Sequence, residues 1–232
     1  MHYNEVIFYF LRRKMELETN QWQARYIKWF MKKMKLNRAG LIGYIKKHSI
    51  KLSNFLVMVN LFRLANDAIG DFNKLRAYQH GAIYSGVYRD FKTKIDDDYI
   101  DQILSASDAK NPKSYEILEK AFYYVSTSKN YDFIVKMQEF DFWKNKVNQA
   151  DNNIRKNDVT DADKLKLKEI YNSLPDNAAD LEFIFINDYH FVWHKKDASW
   201  VKENIAKLVE MSRDYNLINP IIITPDKPKS KK

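Results

Sequence analysis

The sequence predicts a mainly α protein: a compact helical domain with a short β element, followed by a C-terminal α+β extension that contains a hairpin. Three observations predict it. Glycine and proline number only five each in 232 residues, which disfavours long loops and favours helices. Apolar residues recur at three- and four-residue spacing through most of the chain, as they do on helices with one buried face. β-rich runs next to turn residues occur in only two short places, one at Gly81 and one between Phe183 and Trp193.

Residues Tyr3 to about Met15 read as a first helix, with Arg12 to Lys14 in its last turn where cations suit the helix dipole. Thr19 or Asn20 caps a second helix to about Lys35. Trp22, Tyr26, Trp29, Phe30 and Met34 fall near one face of it, and Arg25, Lys28, Lys32, Lys33 and Lys35 on the rest. Around Asn37 to His48 no helix-turn-helix pattern is visible, because Gly40 and Gly43 stand where a recognition helix needs stiffness. Ser49 opens a helix to about Ala68 whose apolar positions cover more than half the circumference, so it is expected to be largely buried.

The stretch Ala77–Lys92 reads as a strand, a turn at Gly81 and a short helix carrying Ile83, Val87 and Phe91 on one face. Asp96 to Asp98 open a helix to about Leu104. These three acids lack the glycine and terminal glutamate of a calcium loop, so helix-start electrostatics accounts for them. Asn111 and Pro112 start a helix to about Val125. Asn148 to Asp158 is polar and reads as a loop, and Thr160 with Asp163 starts a helix that Pro175 ends. Beyond it, Phe183–Ile186 and Tyr189–Trp193 flank Asn187-Asp188 as a hairpin. Ser199 caps a last helix to about Tyr215, and Pro220 to Thr224 form an edge strand before a lysine tail. The expected organisation is a basic, aromatic helical extension over 1–48, a central domain over 49–174, a hairpin-plus-helix extension over 175–223 and a disordered basic tail over 224–232.

The chain has no cysteine, which excludes disulfides, thiolate nucleophiles and cysteine-held metal, and fits a reducing cytoplasm. No apolar run reaches the roughly 18 residues of a membrane span. Ile7–Leu11 is too short for a signal segment, and its arginines follow instead of preceding it. The formal net charge is +9. Residues 1–52 hold 12 Lys/Arg against 3 Asp/Glu, and residues 224–232 hold four lysines against Asp226, so the stretch between is slightly acidic. A basic head and tail suit an acidic partner or nucleic acid, and equally a solvated lysine-rich surface. No phosphate loop or nucleophile elbow is present, and the five histidines are scattered. His190 and His194 lie four apart, but on a strand they are about 13 Å from each other, too far to chelate one ion. No enzymatic activity, metal or cofactor is expected.

Two stretches carry a family resemblance. In the first, Lys51, Leu52, Phe55, Leu56, Leu64 and Ala65 resemble the opening helix of the Panacea domain, the SocA-like antitoxin domain of bacteria and their phages. In the second, Ala77, Tyr78, Gly81, Ile83, Val87, Tyr88, Phe91 and Lys92 fall in register with its central motif, beside Tyr84. Asn54 replaces a usual lysine, and Ala82 stands where the family has proline. A third motif is eroded: Trp143 and Lys144 match, Met137 and Gln138 occupy the family's Thr-His positions, and Phe142 its proline. A glutamine amide hydrogen-bonds but does not titrate, so no acid–base role of that histidine carries over. The resemblance spans about Ser49 to Leu174.

It implies an antitoxin that binds a co-encoded toxin by stoichiometric contact and neutralises it, or acts as an adaptor that presents it to a protease. The expected partner-binding or motif residues are Lys51, Ala77, Tyr78, Gly81, Tyr84, Val87, Tyr88, Phe91, Gln138 and Trp143. Two alternatives stand beside it. One is a nucleic-acid-binding regulator using Trp22, Arg25, Lys28, Lys32 and Lys33, where aromatic rings stack bases and cations hold phosphates. The other is a phage or mobile-element inhibitor of a host protein.

Overall fold

A single long helix runs through the core of the described residues, and the helices Ser85–Thr93, Pro112–Thr127 and Asp161–Ser173 and the strand Gly81–Tyr84 pack against it. The computed structural model describes residues 21–93, 95–108, 112–128, 130–176, 180–186, 189–204, 206–207, 210 and 221–222. The helix expected over Tyr3–Met15, the caps Thr19, Asn20 and Asn111, the end of the last helix and the lysine tail lie outside the described residues.

Helix α1 covers 21–33 and turns at Lys35, whose φ is 53°. Helix α2, Arg38–Ala65, starts earlier than the Ser49 opening expected from sequence. Asn37 caps it by accepting the Gly40 N–H at 2.8 Å. The helical ladder breaks at His48 (φ −124°, ψ 29°), so Ser49 does open the second half of α2 after a kink. From Ser49 to Ala65 nearly every side chain is buried, as an all-round apolar helix requires. Phe30 of α1, Phe55 of α2 and Phe122 meet with ring centroids 5.1 to 6.2 Å apart, and Trp29 stacks on Phe55. The boundary expected after residue 48 coincides with the kink, and residues on both sides share one core.

Strands β1 (Leu75–Tyr78) and β2 (Gly81–Tyr84) form a two-residue hairpin, and α3 (Ser85–Thr93) follows directly. Ile83, expected on the helix, belongs to β2: the chain stays extended to Tyr84, where the pairing with Leu75 ends. Helix α4 (Asp97–Ser105) is capped by Asp96, which accepts the Tyr99 N–H at 2.9 Å. Helices α5 (Pro112–Thr127), α6 (Asn130–Gln138), α7 (Asp141–Lys144) and α8 (Asp161–Ser173) complete the helical body. The capping box of Thr160 and Asp163 forms as expected.

The polar 148–158 stretch is more than a loop. Ala77 N–H donates to Asn152 O at 2.9 Å and Ile154 N–H to Leu75 O at 2.8 Å, so this segment pairs with the outer edge of β1.

At the C-terminal end, β3 (Leu181–Ile186) and β4 (Tyr189–His194) form the expected hairpin, and β5 (Ile221–Ile222) joins β4 in parallel. Helix α9, Ala198–Glu203, starts one residue before the expected cap Ser199, with Asp197 in the cap position. No described helix is long and apolar enough to cross a membrane.

Candidate functional site

The Ala77–Lys92 stretch is built from the turn outward. Gln79 and His80 are the two loop residues, and Gly81 closes the turn with φ +111°, a conformation costly to any residue with a Cβ. The chain can then pair Tyr78 with Gly81 and run back to the core.

The tip so formed is held from one side by the third motif. Trp143 Nε1–H donates to Tyr78 O at 2.8 Å, and Gln138 Nε2–H donates to Gln79 O at 3.0 Å. Met137 is fully buried, with its Cβ beside Gly81. From the other side, Asn152 Nδ2–H donates to Ala77 O at 2.9 Å. Ala77, Tyr78, Gly81, Gln138 and Trp143, far apart in sequence, therefore come together. The amide of the glutamine in the histidine slot holds a backbone carbonyl, which needs no titrating group.

The remaining motif residues go elsewhere. Tyr84, Val87 and Phe91 are core residues. Tyr84 O–H donates to Asp71 O, and its ring meets Trp22 edge-on with centroids 5.5 Å apart. Burial, with Asp71 nearby, holds the Tyr84 phenol well above its ordinary value. Tyr88 is half-buried on α3, with Lys92 Nζ 5.6 Å from its ring centre. Lys51 is only 3% exposed and caps α5, donating to Val125 O at 3.1 Å and Ser128 O at 3.3 Å. Burial lowers its pKa to about 8.

Near the tip and along α6, three large apolar side chains are exposed among polar ones. Tyr78 is 38% exposed, Val135 39% and Tyr131 73%. Tyr131 and Val135 are four residues apart on α6 and Gln138 three further, so they form one stripe that ends where Gln138 grips the hairpin. Gln79 and His80 are exposed beside it.

The residues expected for nucleic acid are placed differently. Trp22 Nε1–H donates to Asp71 Oδ2, and its ring packs on Tyr26 and Tyr84. Arg25 is half-buried. Lys28 Nζ donates to Ala106 O at 2.6 Å and lies 3.6 Å from Asp108, which also pairs with Lys32 at 2.9 Å. Lys33 pairs with Glu119 at 2.6 Å, both largely covered. The basic head is thus neutralised in part by the acidic middle of the same chain.

One concavity, of about 220 Å³, lies away from the tip and is lined by Asp90, Asp96, Asp98 and Tyr99. The other, of about 400 Å³, lies at the root of the hairpin between Phe72, Lys74, Arg155 and Lys156. Among the described residues no group of three His, Asp or Glu is placed to hold a metal ion. Sequence reading missed Asn152 and Ile154, although one isoleucine in a polar stretch marks a buried point; Ile154 is fully buried. The chain matches no family model, no curated protein and no solved structure.

Proposed function

We propose that the chain is a Panacea-type, SocA-like antitoxin that binds a cognate toxin protein through the hairpin tip and α6, one to one and without turnover. The single observation that carries this reading is the convergence at the tip. Residues of two separate stretches of the resemblance meet there, and the hydrogen bonds from Gln138 and Trp143 hold the turn in place. A tip held in this way presents Tyr78 and, along α6, Val135 and Tyr131 to solvent. Exposed aromatic side chains on a preorganised backbone are the usual anchors of protein interfaces, because they bury much area at little entropic cost. The inward packing of Trp22 and the ion pairs of Lys28, Lys32 and Lys33 favour this surface over the head as the place of contact.

Co-expression tests it. The product of the neighbouring reading frame is expected to arrest growth alone and to be harmless with this chain. Tyr78→Ala combined with Tyr131→Ala is expected to abolish protection while leaving the melting temperature within about 2 °C, as exposed substitutions do. Adding protease-deficient hosts separates blocking from delivery to a protease. Protection undiminished by the double variant would sink the surface assignment. A chain that retains only nucleic acid, released by salt, would move the function to the basic head. A host protein bound with no toxic neighbour would make it an inhibitor of that protein.

A further inference from the structure

Lys51 is a buried cation that the partner surface does not itself use. At 3% exposure it touches no partner directly, and burial is the cause that lowers its pKa. A charge taken out of water costs stability, and a hydrocarbon side chain of similar volume often serves a core as well or better. What the ammonium does is hold backbone. Its Nζ donates to Val125 O at 3.1 Å and to Ser128 O at 3.3 Å, 74 and 77 residues away. Val125 lies in the last turn of α5, where carbonyls need donors from outside the helix. Ser128 follows the end of α5 and stands just before α6 begins at Asn130. One side chain of the central helix therefore grips the joint between α5 and α6 from the inside.

That joint sets where α6 points. The helix has nine residues, too few to hold together without tertiary contacts. Phe133 and Met137 are buried, and the Phe133 ring lies 6.1 Å from that of Tyr124 on α5. These contacts choose the inward face. Hydrophobic contact has no direction of its own, so it leaves the tilt of so short a helix loose. Directional bonds remove that freedom at both ends, from Gln138 to Gln79 O at the far end and from Lys51 to Ser128 O at the near end. The near end carries Tyr131, 73% exposed, with Val135 one turn further on.

We infer that Lys51 is a positioning residue for the partner surface: its ammonium locks the α5–α6 joint, and the joint fixes the angle at which α6 presents Tyr131 and Val135. The inference rests on the protein-binding reading above and deepens it. It gives a buried lysine a role at a distance from the contact. A helix already held in place binds at less entropic cost than one that is ordered only on docking. The ammonium suits this task because it carries three donors on a long stem, enough to reach two carbonyls at once. The stability lost by burying its charge is offset by a defined surface and not by a better core.

The test is amide hydrogen exchange of the full chain at neutral pH, read by mass spectrometry, for the wild type and Lys51→Met, which keeps an apolar stem and removes the donors. The amides of 134–138 on α6 are expected to exchange about tenfold faster or more, and those of 52–65 on the central helix to stay within about twofold of the wild type. Equal acceleration in both segments makes Lys51 an ordinary core residue and overturns the inference, as does α6 exchange that stays at the wild-type rate. If Lys51→Met does not fold, Lys51→Gln takes its place in the same comparison, since its amide still donates over a shorter reach. Co-expression separates this inference from the antitoxin reading. A loosened α6 with protection undiminished leaves the positioning role standing and removes α6 from the toxin contact. Protection lost while α6 exchange is unchanged overturns the inference and leaves the antitoxin reading in place.

Discussion

Asp163 is fully buried, yet its two carboxylate oxygens are matched by three backbone N–H donors: Asp141 at 2.8 Å, Phe142 at 3.1 Å and Thr160 at 3.1 Å. One side chain closes the start of both α7 and α8. Asp163→Ala strands three donors, and is expected to cost about 3 kcal/mol in urea denaturation. Asp163→Asn is expected to cost about half of that, since its oxygen still accepts. Lys51 presents the opposite case, a buried cation among carbonyl oxygens. Its folded-state pKa of about 8 lies below the ordinary 10.5. Below about pH 8 both states hold the proton, and the folded state carries the full desolvation cost. Between 8 and 10.5 the unfolded chain binds more protons, so stability rises with pH. The stability of the wild type relative to Lys51→Met is expected to rise by about 3 kcal/mol across that window. Parallel urea titrations of both proteins measure it, and a flat difference would show that Lys51 is better solvated than its burial implies.

At the scale of elements, three glycines separate close approach, turn geometry and plain helix cost. A Cβ at Gly70 meets Asn60 O at 2.9 Å, on the backbone of the central helix. Gly70→Ala therefore forces the connection away from α2 and is expected to cost about 1–3 kcal/mol. Gly81→Ala strains the hairpin turn at φ +111° and is expected to cost a similar amount, about 1–3 kcal/mol, and to disturb the tip. Gly43 lies inside α2 with nothing within 4 Å of its Cβ position. Gly43→Ala is expected to stabilise by about 0.5–1 kcal/mol, because only helix propensity changes. Thermal unfolding of the three variants is expected to show a loss for Gly70→Ala and Gly81→Ala and a gain for Gly43→Ala. A destabilised Gly43→Ala would contradict the open space described there.

For the molecule as a whole, the question is what holds α1 to the body. Charge complementarity is plain, with Lys28 and Lys32 on Asp108 and Lys33 on Glu119. Yet the Lys32–Asp108 pair is more than half exposed on both sides, and such pairs contribute little. Burial dominates: Ile27, Phe30 and Met34 are at most 2% exposed. Phe30→Ala is expected to cost about 4 kcal/mol and Asp108→Ala to leave stability nearly unchanged. Denaturation of both at low and high salt decides this; a large salt-dependent loss in Asp108→Ala would give the ion pairs the main role.

Local pattern is enough to set the class of the fold and most of the punctuation along the chain. The caps at Asp96 and Thr160, the turn at Gly81, the buried run after Ser49 and the C-terminal hairpin are all set by contacts within a few residues, where hydrogen-bond chemistry and the 3.6- or two-residue period leave little choice. Even locally, four-residue spacing put Ile83 on the helix with Val87 and Phe91, whereas the pairing with Arg76 holds it in β2. Tertiary structure alone decided the candidate site. Trp143 reaches Tyr78 across 65 residues, Gln138 reaches Gln79 across 59, and Arg76 reaches Asn153 across 77. It alone also turned the aromatic face of α1 inward and set its lysines against Asp108 and Glu119. Which carbonyl a side-chain amide meets depends on how whole helices stack in a close-packed core, and no local pattern encodes that distance.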